Sequence, residues 1–227
     1  MLRTIQALAK RAGSGIKRYL KGHPEVNLSH CEAQPIEEFP GDFEDSEIAI
    51  IKKVTPFTMT SPERIVSLIR AVRYIVDNNI PGDIVECGVW KGGSMMAAVM
   101  SLIDMKDTRR NLYLFDTFEG MTPPTSNDIS YKGDSASELL ATSEKDEETY
   151  IWAFSPIEKV RSNLLSLGYE DQRIHFCKGK VEDTIPESAP KQISLLRLDT
   201  DWYESTLHEL THLYPRLSPG GIIIIDD

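Results

Sequence analysis

From Ser61 onward the chain alternates two kinds of apolar pattern. Ile65, Leu68, Ile69, Val72, Ile75 and Val76 recur at helical spacing behind Ser61 as N-cap and Pro62 at the first helical position, which predicts a helix stopping before Pro81-Gly82. Asp83 to Cys87 reads as a short strand, Gly88 to Gly93 as a glycine-bearing turn, and Ser94 to Met105 as a second helix. Asn111 to Phe115, ending on Asp116, is the next strand. A polar excursion from Thr117 to Tyr150 follows, longer than the usual connection in a compact domain, and reads as a lid or binding loop. Beyond it, Ser155-Pro156-Ile157-Glu158 has capping-box spacing and Gly168 supplies a stop. Strand Ile174 to Cys177, strand Ile193 to Leu198, a helix from Tyr203 to Leu217 and strand Ile222 to Ile225 complete the series. This order predicts right-handed crossovers and an α/β fold with a doubly wound, mostly parallel sheet.

The chain has 227 residues and 41% hydrophobic content, enough for one α/β domain with appendages. A formal charge of -10 excludes a general nucleic-acid binder, which needs a basic surface, and favours small-molecule chemistry. Cys31, Cys87 and Cys177 fit neither a disulfide framework nor a zinc site, and Cys87 reads as a small core residue. No apolar run reaches the roughly 18 residues of a membrane span. The first 22 residues are basic and amphipathic. They read best as a frayed surface helix, with an anionic membrane surface, a targeting role or a partner subunit as alternatives. They lack the apolar core of a signal peptide, so the expected location is cytoplasmic. The acidic stretch Cys31 to Glu47 reads as linker or surface arm, giving an arm over residues 1–54 and a domain over 55–227.

The chemistry concentrates at strand ends. Asp199 and Asp201 follow one buried run, and Asp226 and Asp227 another, so their carboxylates are expected at the ligand-binding edge of one sheet. Such a cluster needs a cation, and an all-oxygen set suits Mg²⁺; capping or turn-forming aspartates are the plainer reading of either pair alone. The turn from Glu86 to Ser94 lacks the G-x-G-x-x-G spacing, and Glu86 at its start favours a cationic ligand over a pyrophosphate. Asp116, about 20 residues beyond the glycines, stands where an acid accepts from ribose hydroxyls. S-adenosylmethionine, a nucleoside with a positive end, satisfies both.

Six segments together resemble the macrocin O-methyltransferase (TylF) family: Thr58 to Arg64, Glu86 to Ser94, Phe115 to Met121, Val181 to Thr184, Leu198 to Tyr203, and Gly220-Gly221 to Asp226-Asp227. The resemblance implies a class I, Rossmann-like methyltransferase that uses S-adenosylmethionine and Mg²⁺ to methylate a hydroxyl of a sugar-containing small molecule. It implies that Glu86, Gly88 and Ser94 line the methionine part of the cofactor and Asp116 the ribose. Glu182 and Asp183 would meet the adenine, with Thr60 in a covering segment and Phe118 beside the cofactor. Asp199, Asp226 and Asp227 would hold the metal, and Asp201 would be the general base. Asp199 and Asp201, two apart on an expected extended segment, would point the same way.

The family pattern continues past Asp227 through two further strands, so the sheet is expected to lack its last two strands, as in a C-terminally truncated chain. A catechol or other phenol as acceptor is one alternative. A catalytically inactive nucleotide-binding or interaction module is the other. The expected partners are the hydroxyl acceptor and a second copy of the chain.

Overall fold

The computed structural model describes residues 39–130, 133, 135–145 and 150–226. The basic N-terminal segment and Asp227 lie outside the described residues. Five parallel strands, β1 (Asp83–Cys87), β2 (Leu112–Asp116), β3 (Ile174–Lys178), β4 (Ile193–Leu198) and β5 (Leu217–Ile225), form one sheet in the order β3-β2-β1-β4-β5. Each strand runs within two residues of its expected limits except β5, which starts five residues early.

Helices α1 (Asp45–Val54), α2 (Pro62–Asp77) and α3 (Gly93–Asp104) pack together on one face. Every apolar position predicted for α2 is buried except Val76, because an apolar stripe at 3.6-residue spacing must face a neighbour. Ser61 accepts from Arg64 N, as an N-cap should. On the other face, α6 (Val181–Thr184) and α7 (Tyr203–Leu213) close a core of Val85, Cys87, Phe115, Val181, Leu196, Leu198 and Leu213. Complete burial of an aliphatic side chain stabilises a fold by about 1.5–3 kcal/mol. Two shorter helices, α4 (Ala136–Ala141) and α5 (Ile157–Leu165), lie between β2 and β3 along the chain.

Three local expectations change. The acidic stretch is not all linker: Glu44 and Glu47 form a capping box that starts α1 at Asp45, and Ile50, Ile51 and Val54 join the core. Glu47 is buried and bonded to Arg70 Nε at 2.8 Å. Burial alone would raise its pKa, but Arg70 and the Glu44 amide hold it below the ordinary value. The Ser155 box does not form. Pro156 takes the N-cap position of α5, and Ser155 is buried. Finally, α7 ends at Leu213, because Pro215 cannot donate the next helical hydrogen bond; a 3₁₀ turn over Tyr214–Arg216 leads into β5.

Candidate active site

In this strand order the chain leaves β1 toward β2 on one side and β4 toward β5 on the other, so a crevice opens at the carboxyl ends of β1 and β4. A cleft of about 280 Å³ lies there, and Thr60, Gly88, Ser94, Asp116, Glu182, Asp199, Asp201 and Asp226 all line it. Of the remaining expected residues, Glu86 is buried beside the Gly88 turn, Phe118 is buried against Phe176, and Asp183 is exposed.

The glycine turn is packed closely against the chain itself. Gly88 has φ +80, and a Cβ there would lie 1.8 Å from the Asp199 carbonyl oxygen. A Cβ on Gly93 would lie 2.5 Å from Phe57 O. These close approaches are to the chain itself: one joins β1 to β4, and the other seats the Phe57–Thr58 segment against the start of α3. Asp116 reinforces the turn. Its Oδ2 accepts from Val89 N at 2.7 Å and Trp90 N at 3.0 Å, and its Oδ1 from Phe118 N at 2.6 Å. Burial nevertheless carries its pKa above the ordinary value, against the pull of those amides.

A charge hub stands between the strand ends. The Arg197 side chain is 3% exposed. Its Nη1 donates to Glu86 Oε1 at 2.9 Å and Asp199 Oδ2 at 2.7 Å; its Nη2 donates to Thr60 Oγ1 at 3.1 Å and meets Asp226 Oδ2 at 3.0 Å. Arg64 meets the same Asp226 oxygen at 3.3 Å from the solvent side. The cation required by clustered carboxylates is therefore, in this structure, a guanidinium. Burial would lower the Arg197 pKa, and the three carboxylates more than reverse that. Reading Ile193 to Leu198 as an apolar run overlooks Arg197. The signal was present, because a lone charge in a strand covered on both faces must find buried partners.

Glu86 Oε2 is buried with no hydrogen-bond partner among the described residues. Burial pushes the Glu86 pKa up to about 8, despite Arg197. An amino group arriving beside it would relieve that unpartnered oxygen, which is how the site fits a cationic donor such as S-adenosylmethionine. For a metal, Asp199 and Asp226 offer oxygen donors that converge on one guanidinium. No group of three or more His, Cys, Asp or Glu arranged for a metal is found among the described residues, which exclude Asp227.

The Asp199–Asp201 segment is not extended. Asp201 has φ +64, and Trp202 N donates to Thr200 O at 2.8 Å, closing a tight turn. Trp90 and Ala153, also lining the cleft, share positive φ, an arrangement that costs a non-glycine residue of order 1–3 kcal/mol. Beneath Thr200, Glu209 is buried close to the Thr200 hydroxyl and the Cys87 thiol without a hydrogen bond of ordinary length, and burial pushes its pKa up to about 8.

Known proteins share this arrangement of elements. The chain is 37% identical over 206 residues to 8-demethyl-8-(2,3-dimethoxy-alpha-L-rhamnosyl)-tetracenomycin-C 4'-O-methyltransferase of Streptomyces olivaceus, covering 89% of this chain and 75% of that protein. It is 34% identical over 172 residues to demethyldecarbamoylnovobiocin O-methyltransferase of Streptomyces niveus, covering 75% of this chain and 62% of that protein. Among solved structures, the O-methyltransferase NovP superposes with a TM-score of 0.62 at 31% identity, over 75% of this chain and 67% of that chain. CalS11, a calicheamicin methyltransferase, superposes with a TM-score of 0.53 at 20% identity over 83% of this chain and 84% of that one, a likeness of fold alone. The Macrocin-O-methyltransferase (TylF) family pattern matches residues 29–227, and the chain belongs to that family.

Proposed function

We propose that this protein transfers a methyl group from S-adenosylmethionine to a hydroxyl of a sugar carried by a small molecule, with Mg²⁺ and with Asp201 as general base. The supporting observation is one cleft at the β1/β4 crevice that gathers Thr60, Gly88, Ser94, Asp116, Glu182, Asp199, Asp201 and Asp226. Relatives named as methyltransferases of rhamnosyl tetracenomycin, novobiocin and mycinamicin compounds support the sugar-bearing acceptor.

Bound S-adenosylmethionine supplies a methyl on a sulfonium, whose C–S bond breaks as the acceptor oxygen forms the new C–O bond, leaving S-adenosylhomocysteine. Glu86, Gly88 and Ser94 hold the methionine end. The Asp116 region takes the ribose, Glu182 with Asp183 the adenine, and Thr60 and Phe118 flank the cofactor. Holding oxygen and carbon in line contributes roughly 7–11 kcal/mol. Asp199 and Asp226, with Asp227, would hold Mg²⁺, which would supply Lewis-acid lowering of the acceptor hydroxyl pKa. The Asp201 carboxylate takes the hydroxyl proton. Asp201 lines the same cleft as Asp199, which supports this role.

Asp201→Asn tests this directly. Turnover with S-adenosylmethionine, Mg²⁺ and a glycoside acceptor should fall about 10²–10⁴-fold, with S-adenosylhomocysteine affinity by calorimetry unchanged. Near-wild-type turnover of D201N on a phenolic acceptor would move the assignment to the phenol class.

A further inference from the structure

The excursion after β2 supplies Met121 and Thr122 to the cleft; Met121 N donates to Trp152 O at 2.9 Å, and a further attachment runs through Asp128, a residue 7% exposed. Asp128 Oδ1 accepts from Tyr203 N, the first residue of α7, at 2.9 Å. Its Oδ2 accepts from Thr125 N at 2.6 Å and Thr125 Oγ1 at 2.9 Å, and its backbone oxygen accepts from Ala136 N at 3.1 Å, where α4 begins. The Asp128 carboxylate thus joins the excursion's inner turn to the start of α7, and its main-chain oxygen ties in the short helix.

The physical need is clear from the sequence around α7. A helix leaves its first N–H groups without partners, and the N-cap residue usually supplies an oxygen. Here the N-cap is Trp202, which has no side-chain acceptor. Asp128, 75 residues before Tyr203, does the capping instead, with its negative charge at the favourable end of the helix dipole. The Trp202 indole makes a second tie, donating from Nε1 to Thr122 O at 3.2 Å. Trp202 and Tyr203 directly follow the strained Asp201. The amides of Thr125 and Tyr203 hold the Asp128 pKa below its ordinary value, against burial.

We infer that Asp128 is a positioning residue that fixes the Met121–Thr122 wall of the cleft and the Asp201 turn as one unit, so that the acceptor is oriented by the contact that holds the base. The link to the acceptor rests on the proposed methyl transfer; the joining of wall and turn does not. Asp128 is not among the residues lining the cleft and acts through Tyr203, Trp202 and Thr122.

The experiment uses the full chain and the variants Asp128→Ala and Asp128→Asn. Amide hydrogen exchange should rise at least tenfold in D128A over residues 120–126 and 201–206 together, with residues 86–94 unchanged. D128N keeps one acceptor oxygen and should recover part of that protection, which keeps the test sharp if D128A folds poorly. Loosening of only one of the two segments, or of neither, overturns the inference. In turnover assays with methyl α-L-rhamnopyranoside as probe acceptor, D128A should raise the acceptor KM at least tenfold while S-adenosylhomocysteine affinity stays within twofold. An equal loss for acceptor and cofactor overturns the acceptor role. If the wild-type chain methylates no glycoside, the proposed function fails, and the exchange measurement still decides whether Asp128 joins wall and turn.

Discussion

Two arginines sit near opposite ends of the sheet and are held in opposite ways. Arg110, before β2, gives Nη1 to the carbonyls of Ile80 and Gly82 and Nη2 to that of Ile75, with Asp107 on Nε. Arg197, in β4, gives its terminal nitrogens to the side chains of Glu86, Asp199, Thr60 and Asp226. Main-chain partners cannot leave without undoing the fold, whereas side chains can turn toward another cation or a ligand. The amino end of the sheet is therefore built as fixed structure. The carboxyl end is built as a set of exchangeable contacts, which is what a binding site requires.

The sharpest way to break this contrast is Arg197→Met. Removing one partner of a buried charge cluster costs about 3–5 kcal/mol. For a protein of this size that lowers the Tm by roughly 10 °C. If the hub's partners are exchangeable, millimolar Mg²⁺ should recover more Tm in R197M than in the wild type, as scanning calorimetry would show. Arg110→Met should cost less, about 1–3 kcal/mol for carbonyls left short of donors. It should show no added response to Mg²⁺ and no change in S-adenosylhomocysteine affinity. Equal costs and equal Mg²⁺ responses for the two variants would erase the distinction.

A pH-dependent effect concerns Glu209, the buried carboxyl close to the Thr200 hydroxyl. Its folded pKa is raised to about 8 from 4.5, so its contribution to stability is fully present below about pH 4.5 and is lost as pH rises through about 8. One such proton changes stability by about 1.4 kcal/mol per pH unit inside that window. Glu209→Gln should match the wild type in Tm at pH 4 and exceed it at pH 8; parallel Tm curves for the two proteins would contradict the assignment.

Much of this molecule was legible from residue patterns. The strand Ile193 to Leu198 and the turn from Glu86 to Ser94 follow from local periodicity and turn chemistry, and Asp116, Asp199 and Asp226 fall in one cleft because parallel strands end on one edge. What escaped was pairing at long range. Arg197 and Glu86 are 111 residues apart, and Asp128 reaches Tyr203 across 75. Neither distance leaves a trace in a local window. Backbone state escaped too: Asp201 gives no sequence sign of positive φ, and Ser155 had every letter of a cap without making one.

The backbone at Asp201 has a consequence for engineering. Glycine adopts φ near +64 at little cost, so Asp201→Gly would relax the loop while deleting the proposed proton acceptor. A library screened for heat resistance alone would be drawn toward glycine at position 201, enriching sturdier proteins that lack the proposed base.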